Sequence, residues 1–274
     1  MTDRNPARGA DLVRLEGGEA RPRRDDVAVE EPLEIRISGD TLAITMRTPG
    51  HDRELVLGWL WAEGIIAEVG DVSSIAHCGR PGEEGFGNVV EVALAPGVRF
   101  DPERLFQRGT VTTSACGVCG RKSIDDLLAR TRPVPPHAPL DRSAVLEAAR
   151  TLRDRQPLFA RTGGCHAASL ATSAGAHVAT AEDVGRHNAV DKVVGAALLS
   201  GVAPARSGEH LLLVSGRTSF EIVQKALAAR VPIVAGISAP SSLAIDLARR
   251  ANLTLLGFAR GDEVNVYAGV DRVR

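Results

Sequence analysis

Polar and apolar positions alternate from about residue 27 through "EEPLEIRISG" and again through "DTLAITMRTPG". That period of two predicts a pair of strands, and Ser38-Gly39-Asp40 between them supplies the turn of a β-hairpin. The period then lengthens. "HDRELVLGWLWAEGII" reads as an amphipathic helix, with Asp52 as its expected N-cap and Gly64 as its stop. "VEVALAPGV" (90–98) reads as a further strand behind the glycine-rich stretch "CGRPGEEGFGN". The glycines of that stretch (79, 82, 85 and 87) lack the dinucleotide-binding spacing and predict a plain loop.

A second rhythm starts after the proline-rich connector "RPVPPHAPL" (132–140). "DRSAVLEAARTLRDR" places Val145, Leu146, Ala149 and Leu152 on one helical face. "CHAASLAT" and "AHVATAED" flank Ser173-Ala174-Gly175 as a hairpin, and "NAVDKVVGAALLSG" is a helix ending on Gly201. From Leu211 onward strands and helices alternate, and the strands are apolar runs fit for burial on both faces. This predicts a doubly covered, largely parallel sheet. The expected organisation is an N-terminal arm over 1–24, a smaller α/β domain over 25–110, and a larger α/β layer domain over 111–274.

Composition narrows the function classes. The chain has 274 residues, 44% hydrophobic and 24% charged, so a full core is affordable without covalent staples. Aromatic residues make up 3% and the formal charge is −1, which leaves neither a base-stacking surface nor a polycationic footprint for nucleic acid. The arm mixes Arg4, Arg8, Arg14, Arg21, Arg23 and Arg24 with Asp11, Glu16, Glu19, Asp25 and Asp26, and it has no apolar run behind it. It reads as a solvated, mobile segment rather than a signal or anchor. No stretch approaches a membrane span. A cytoplasmic protein with reduced thiols is expected.

The candidate chemistry starts at "SACGVCGRKS" (114–123), which holds Cys116 and Cys119. A disulfide staple, half of a zinc site, a redox dithiol and a sulfur-carrying thiolate all share this spacing. A reducing compartment disfavours the staple. The remaining cysteines, Cys78 and Cys165, stand apart, each beside a histidine (His77, His166), so zinc would need a composite site. Arg121 and Lys122 follow the pair, and a helix is expected to start near Ser123. Both features favour thiolate over thiol. Such a thiolate serves dithiol redox chemistry and sulfur relay equally well.

Ligands of open α/β sheets bind beyond the carboxyl ends of the strands. Three such ends are readable: Ser215-Gly216-Arg217 before an expected capping box Thr218-x-x-Glu221, Ser238-Ala239-Pro240 with Ser241 or Ser242 capping the next helix, and Phe258-Ala259-Arg260-Gly261-Asp262-Glu263 after "LTLLG". Helix N-termini with Arg217 and Arg260 suit phosphate. "AEDVGRHNAVDK" (181–192) is the densest polar cluster, and there His187 and Asp191 at i, i+4 are able to face one site; a helix-capping network explains it better than a metal. His166 reads as a hydrogen-bonding histidine at a strand end.

The motifs "SACGVCG", "TGGCHAA", "EDVGRHNAVDKVVG", "SGRTSFEIVQKA", "SAPSSLAIDLA" and "LTLLGFARGDEVNVY", in this order, together with "EEPLEIRISG" and "ELVLGWLWAEGII", resemble the FdhD/NarQ family of formate dehydrogenase accessory sulfurtransferases over roughly residues 28–270. The resemblance implies a persulfide on Cys116 with Cys119 assisting. It implies sulfur taken from a cysteine desulfurase of the IscS type and passed to the bis-molybdopterin guanine dinucleotide cofactor of formate dehydrogenase. It also implies a homodimer, cofactor contacts through Phe258–Glu263 with GDP or GMP-like nucleotides as analogues, and a C-terminal three-layer α/β/α sandwich like that of cytidine deaminases. A zinc-dependent deaminase-like hydrolase and a cofactor-binding chaperone are the competing expectations.

Overall fold

The computed structural model describes residues 5–80, 83, 85–99, 127–128, 134–202 and 207–274. Strands β1 (Ala7–Glu16) and β2 (Glu19–Ala28) pair antiparallel around Gly17-Gly18, both at positive φ (59° and 86°). From Ala7 onward the expected arm is therefore a two-stranded ribbon, and it runs on to Ala28. Most of its residues are exposed; the mixed charges that made it read as a solvated, mobile segment are the outward-facing positions of a hairpin closed by a two-residue turn.

β3 (Glu31–Ile37) and β4 (Asp40–Arg47) form the expected hairpin around Ser38-Gly39. With β5 (Val72–His77) and β6 (Val89–Leu94) they make a sheet ordered β4-β3-β6-β5, in which β3 and β6 run parallel. Leu33, Ile35 and Ile37 alternate inward toward helix α1 (Asp52–Ala62). The N-cap of α1 is His51, in the left-handed region at φ 56°, and not the expected Asp52. Asp52 sits one position inside the helix with its carboxylate turned into the protein, where buried Arg47 claims it (2.9 and 3.2 Å).

The second sheet is ordered β12-β11-β10-β9-β7-β8. Its parallel centre is β9 (His210–Val214), β10 (Ile233–Gly236) and β11 (Thr254–Arg260). The antiparallel strands β7 (His166–Thr172), β8 (His177–Asp183) and β12 (Glu263–Ala268) flank it. Helices α4 (Arg186–Leu199), α5 (Phe220–Ala228) and α6 (Ser242–Arg250) cover one face; α2 (Arg142–Leu152) lies on the other, followed by the short α3 (Pro157–Thr162). Alternation along the central strands divides the core. Leu212, Val214, Val234 and Leu255 pack toward α4–α6, whereas Leu211, Leu213, Ile233 and Leu256 pack toward Val145 and Leu152 of α2. The result is three layers, α/β/α.

The two sheets share one core, because α1 lies against α4. Two glycines permit that crossing: a Cβ on Gly58 would overlap the backbone of Asp191, and one on Gly195 would overlap the backbone of Glu54. The turn after β4 is fastened to the second sheet as well. The Thr48 amide donates to Asp183 (3.1 Å), and Lys192 Nζ donates to the Thr48 carbonyl (2.9 Å).

Candidate cofactor-binding crevice

Parallel pairing of β9, β10 and β11 brings the three expected strand ends to one edge. Backbone hydrogen bonds stitch them together: Ile237 N–H to Val214 O (3.0 Å), Thr218 N–H to Ala239 O (3.1 Å), Ser241 N–H to Thr218 O (3.0 Å) and Phe258 N–H to Ser238 O (3.3 Å). Ser215 joins this edge to the start of β7, donating its amide to Ala167 O and accepting the Ala167 amide on Oγ, both at 2.9 Å. Arg217 is exposed beside it, and Ser238 is half-buried.

Two local expectations are corrected. Thr218 and Glu221 form no capping box: Thr218 is fully buried in a bridge with Pro240, and the N-cap of α5 is Ser219. A long-range partner wins over local capping, since His187 Nε2 reaches Glu221 Oε2 (2.6 Å) and Ser219 Oγ (3.1 Å). Nor is Phe258–Glu263 a loop beyond the strand. Phe258, Ala259 and Arg260 finish β11, Gly261-Asp262 turns, and Glu263 opens β12. Phe258 holds φ at 53° within a register shift between Gly257 and Arg260. That bulge buries Ala259 and leaves Phe258 half-buried, with the Arg260 guanidinium 5.5 Å from its ring centre. Arg260, Gly261, Asp262 and Glu263 are exposed. At the next helix, Ser241 is the N-cap of α6 and accepts the Ala244 amide (3.3 Å).

The polar run 181–192 fastens helices. Glu182 accepts the first two free amides of α3, from Leu158 (2.9 Å) and Phe159 (2.7 Å). Asp183 takes the Gly185 amide (2.8 Å) and Lys192 Nζ (2.8 Å). His187 and Asp191 meet successive partners on α5, Glu221 and Lys225, so they form two rungs of one ladder and not one site. Burial pushes the Asp191 carboxyl up to about 6 against the pull of Lys225. Among the described residues no group of three or more His, Cys, Asp or Glu is arranged to hold a metal ion.

One pocket, of about 640 Å³, opens next to this edge, lined by Arg153, Gln156, Phe159, Cys165, His166 and Ser215 among others. The sequence reading missed it, apart from His166 and Ser215. Its floor is the "QPLFARTGGCH" run: Pro157 starts a helix of only six residues, and Gly163 at φ 65° turns the chain back into β7. Arg153 stacks 4.2 Å from the Phe159 ring centre. His166 is held below the usual histidine range by burial first, then by the nearby Arg186, His187 and Arg217, with Asp183 opposing. The ring is thus neutral near pH 7. Burial pushes the Cys165 thiol up, against its contact with Thr48 Oγ1. That leaves Cys165 a poor nucleophile. The cysteine pair Cys116 and Cys119, with Arg121, Lys122 and Ser123, lies outside the described residues.

A mixed α/β protein whose carboxyl strand ends frame a polar crevice is the class these features define. Comparison with known proteins makes it particular. Residues 28–274 match the FdhD/NarQ family, and the chain belongs to that family. Proteins named sulfur carrier protein FdhD are similar to it: one from Anaeromyxobacter dehalogenans (strain 2CP-C) at 60% identity over 91% of this chain and 89% of its own, and one from Streptomyces coelicolor at 48% over 96% and 94%. A crystal structure from Desulfotalea psychrophila, of a protein put forward as a formate dehydrogenase accessory protein, superposes with a TM-score of 0.75 at 24% identity, covering 98% of this chain and all of that one. This last likeness concerns the fold.

Proposed function

We propose that this chain is a sulfur carrier serving formate dehydrogenase, loaded at Cys116. The observation that carries the reading is membership of the FdhD/NarQ family over residues 28–274, with sulfur carrier relatives at up to 60% identity, in a chain that keeps a Cys-x-x-Cys at 116–119. The Cys116 thiolate attacks the terminal sulfur of a cysteine desulfurase persulfide. The new S–S bond forms on Cys116 as the donor's S–S bond breaks and its cysteine leaves as thiolate. For release, the Cys119 thiolate attacks the inner sulfur of the Cys116 persulfide. Hydrosulfide departs toward the molybdenum of the acceptor cofactor, and a Cys116–Cys119 disulfide remains for a cellular thiol to reduce. Arg121 and Lys122 favour both thiolates.

The acceptor, bis-molybdopterin guanine dinucleotide, is here a substrate, carrying diphosphates and flat heterocycles. The crevice suits both. Arg217 and Arg260 stand at its strand ends for phosphate, the Phe258 ring offers an apolar face, and the adjacent pocket lies in the size range of small-molecule sites. Ser215 and Ser238 add hydroxyl donors at the same edge. A homodimer and a formate dehydrogenase catalytic subunit as recipient complete the reading.

The test is intact mass after incubation with a cysteine desulfurase and cysteine. Wild-type protein gains one sulfur that reductant removes, and Cys116→Ala gains none. A Cys116→Ala protein that still gains sulfur, or still restores full formate dehydrogenase activity, sinks the proposal.

A further inference from the structure

The ribbon of β1 and β2 is a sheet of its own, and its two edges differ. Gly17 and Gly18 form a two-residue turn at positive φ, so Glu16 and Glu19 close it as a hydrogen-bonded pair. From there the pairing alternates. Arg8, Ala10, Leu12, Arg14 and Glu16 spend their backbone groups on β2, whereas Gly9, Asp11, Val13 and Leu15 point theirs outward. On β2 the outward positions include Pro22, opposite Val13, which has no N–H to offer. The base of β2 is also occupied: Asp26 accepts from Arg161 of α3 (2.7 Å), and Ala28 lies against Gly164. β1 has no such protection. No proline interrupts it, and among the described residues only the Ala7 amide, donating to Asn5 Oδ1, makes a hydrogen bond from its outer edge. Val13 and Leu15 are 61% and 78% exposed. A ribbon of two strands is marginal in water, and an open edge is a template for a further strand.

The charges along β1 select the strand that fits. Two copies of β1 pairing antiparallel about a two-fold axis must be centred on one residue, so that facing side chains lie on the same side of the sheet. Two registers use all but one residue of the strand, those centred on Asp11 and on Leu12. Centring on Asp11 sets that carboxylate against its own copy and Arg8 against Arg14, so like charges meet. Centring on Leu12 sets Arg8 against Glu16 at both ends, with Leu12 against Leu12 between them. In that register the outward-pointing Gly9, Asp11, Val13 and Leu15 supply the hydrogen bonds. Arg8, Leu12 and Glu16 then fall at the non-hydrogen-bonded positions, where facing side chains approach most closely. We infer that the ribbon is an assembly arm, and that β1 pairs with β1 of a second copy to make a four-stranded sheet β2-β1-β1-β2. The inference gives a form to the homodimer of the proposed function and rests on that part of the reading alone; strand pairing needs no bound sulfur. One strand edge buries less than a standard interface, so the association is weak, with a Kd on the order of 1–100 μM.

The experiment is sedimentation velocity of the full chain from about 1 to 200 μM, with sulfur loading measured on the same preparations. Wild type shifts from monomer to dimer with concentration, and less so at high salt, because the end pairs are exposed. Val13→Pro removes an outward N–H without touching the β1–β2 ladder, and it weakens dimerisation at least about 10-fold. Arg8→Glu and Glu16→Arg each set like charges across the axis at both ends and weaken it about 10-fold. Mixed in equal amounts, the two charge variants regain wild-type affinity, since each end then joins opposite signs. That recovery guards against a folding defect in either variant and fixes the register. A chain that stays monomeric throughout, a dimer indifferent to all three substitutions, or a mixture no tighter than its components overturns the inference. Those results leave the carrier reading standing if Cys116 still gains sulfur. Conversely, ribbon-dependent dimerisation without sulfur loading keeps the arm and removes the carrier.

Discussion

Arg47 has no exposed surface, and its guanidinium is satisfied from several sides: Asp52 takes Nε and Nη2, and the Gly87 carbonyl takes Nη2 at 2.9 Å. His77 Nε2 lies 3.0 Å from Asp52 Oδ2, the oxygen that Arg47 Nη2 also reaches. Burial works to raise the Asp52 carboxyl, but hydrogen bonds from His77 and Arg47 outweigh it and hold it below the usual range. A buried charge deprived of its partner is costly, so Asp52→Asn should destabilise the protein by about 3–5 kcal/mol in urea unfolding. The sign of the pH dependence follows from the lowered carboxyl. Its stabilisation is complete above the unfolded value, near 3.8, and is lost as pH falls through the folded value. Wild type should therefore lose stability on acidification below about pH 4 more steeply than Asp52→Asn. Parallel acid limbs for the two proteins would show that the carboxylate is not carrying the interaction.

Among the elements, the α1–α4 crossing is the most demanding of residue type. Neither Gly58 nor Gly195 has room for a methyl group, and in each case the obstruction is backbone on the facing helix. Gly195→Ala should cost about 3 kcal/mol, lowering the melting temperature by several degrees in calorimetry; an unchanged melting temperature would mean the helices do not cross this closely. Helices α1 and α4 were legible in the sequence, and so was the strand–helix alternation after Leu211, because strands buried on both faces must read as unbroken apolar runs. What escaped was decided by contacts that only the folded chain makes. Asp52 has the residue type of an N-cap, yet Arg47 and His77 recruit it inward. Thr218 and Glu221 have capping-box spacing, yet His187 takes Glu221. The bulge that turns Phe258 to positive φ leaves no mark in residue type, since a left-handed phenylalanine is imposed by pairing with β12. Strand ends were thus predictable as places, and Ser215, Ser238 and Phe258 do come together. Gln156 was invisible because a glutamine before a proline reads as a surface turn until the fold closes over it.

At the scale of the molecule, the division into an N-terminal and a C-terminal unit meets a core that runs through both. Leu33, Ile35, Leu55 and Leu60 belong to the same buried cluster as Val190, Val193, Ile222 and Val234. Trp61 of α1 donates its indole N–H to Ala228 O at the end of α5 (2.9 Å), and Asn188 of α4 donates to Met46 O (2.7 Å). Separating the two sheets would uncover the whole α1–α4 seam and leave Asp183 and Lys192 without Thr48. Neither half has a surface fit to face water along that seam, so cooperativity should extend across it. Calorimetry of the full chain should show one transition whose van't Hoff and calorimetric enthalpies agree. A fragment beginning at Val134, which keeps the second sheet and loses α1, should not fold to a cooperative state. Two resolved transitions, or a sharply melting fragment, would mean that the seam is an interface between independent domains. In that case the strand-end crevice would be free to be assembled without the N-terminal sheet, whereas a single transition ties the crevice and its neighbouring pocket to the integrity of the whole chain.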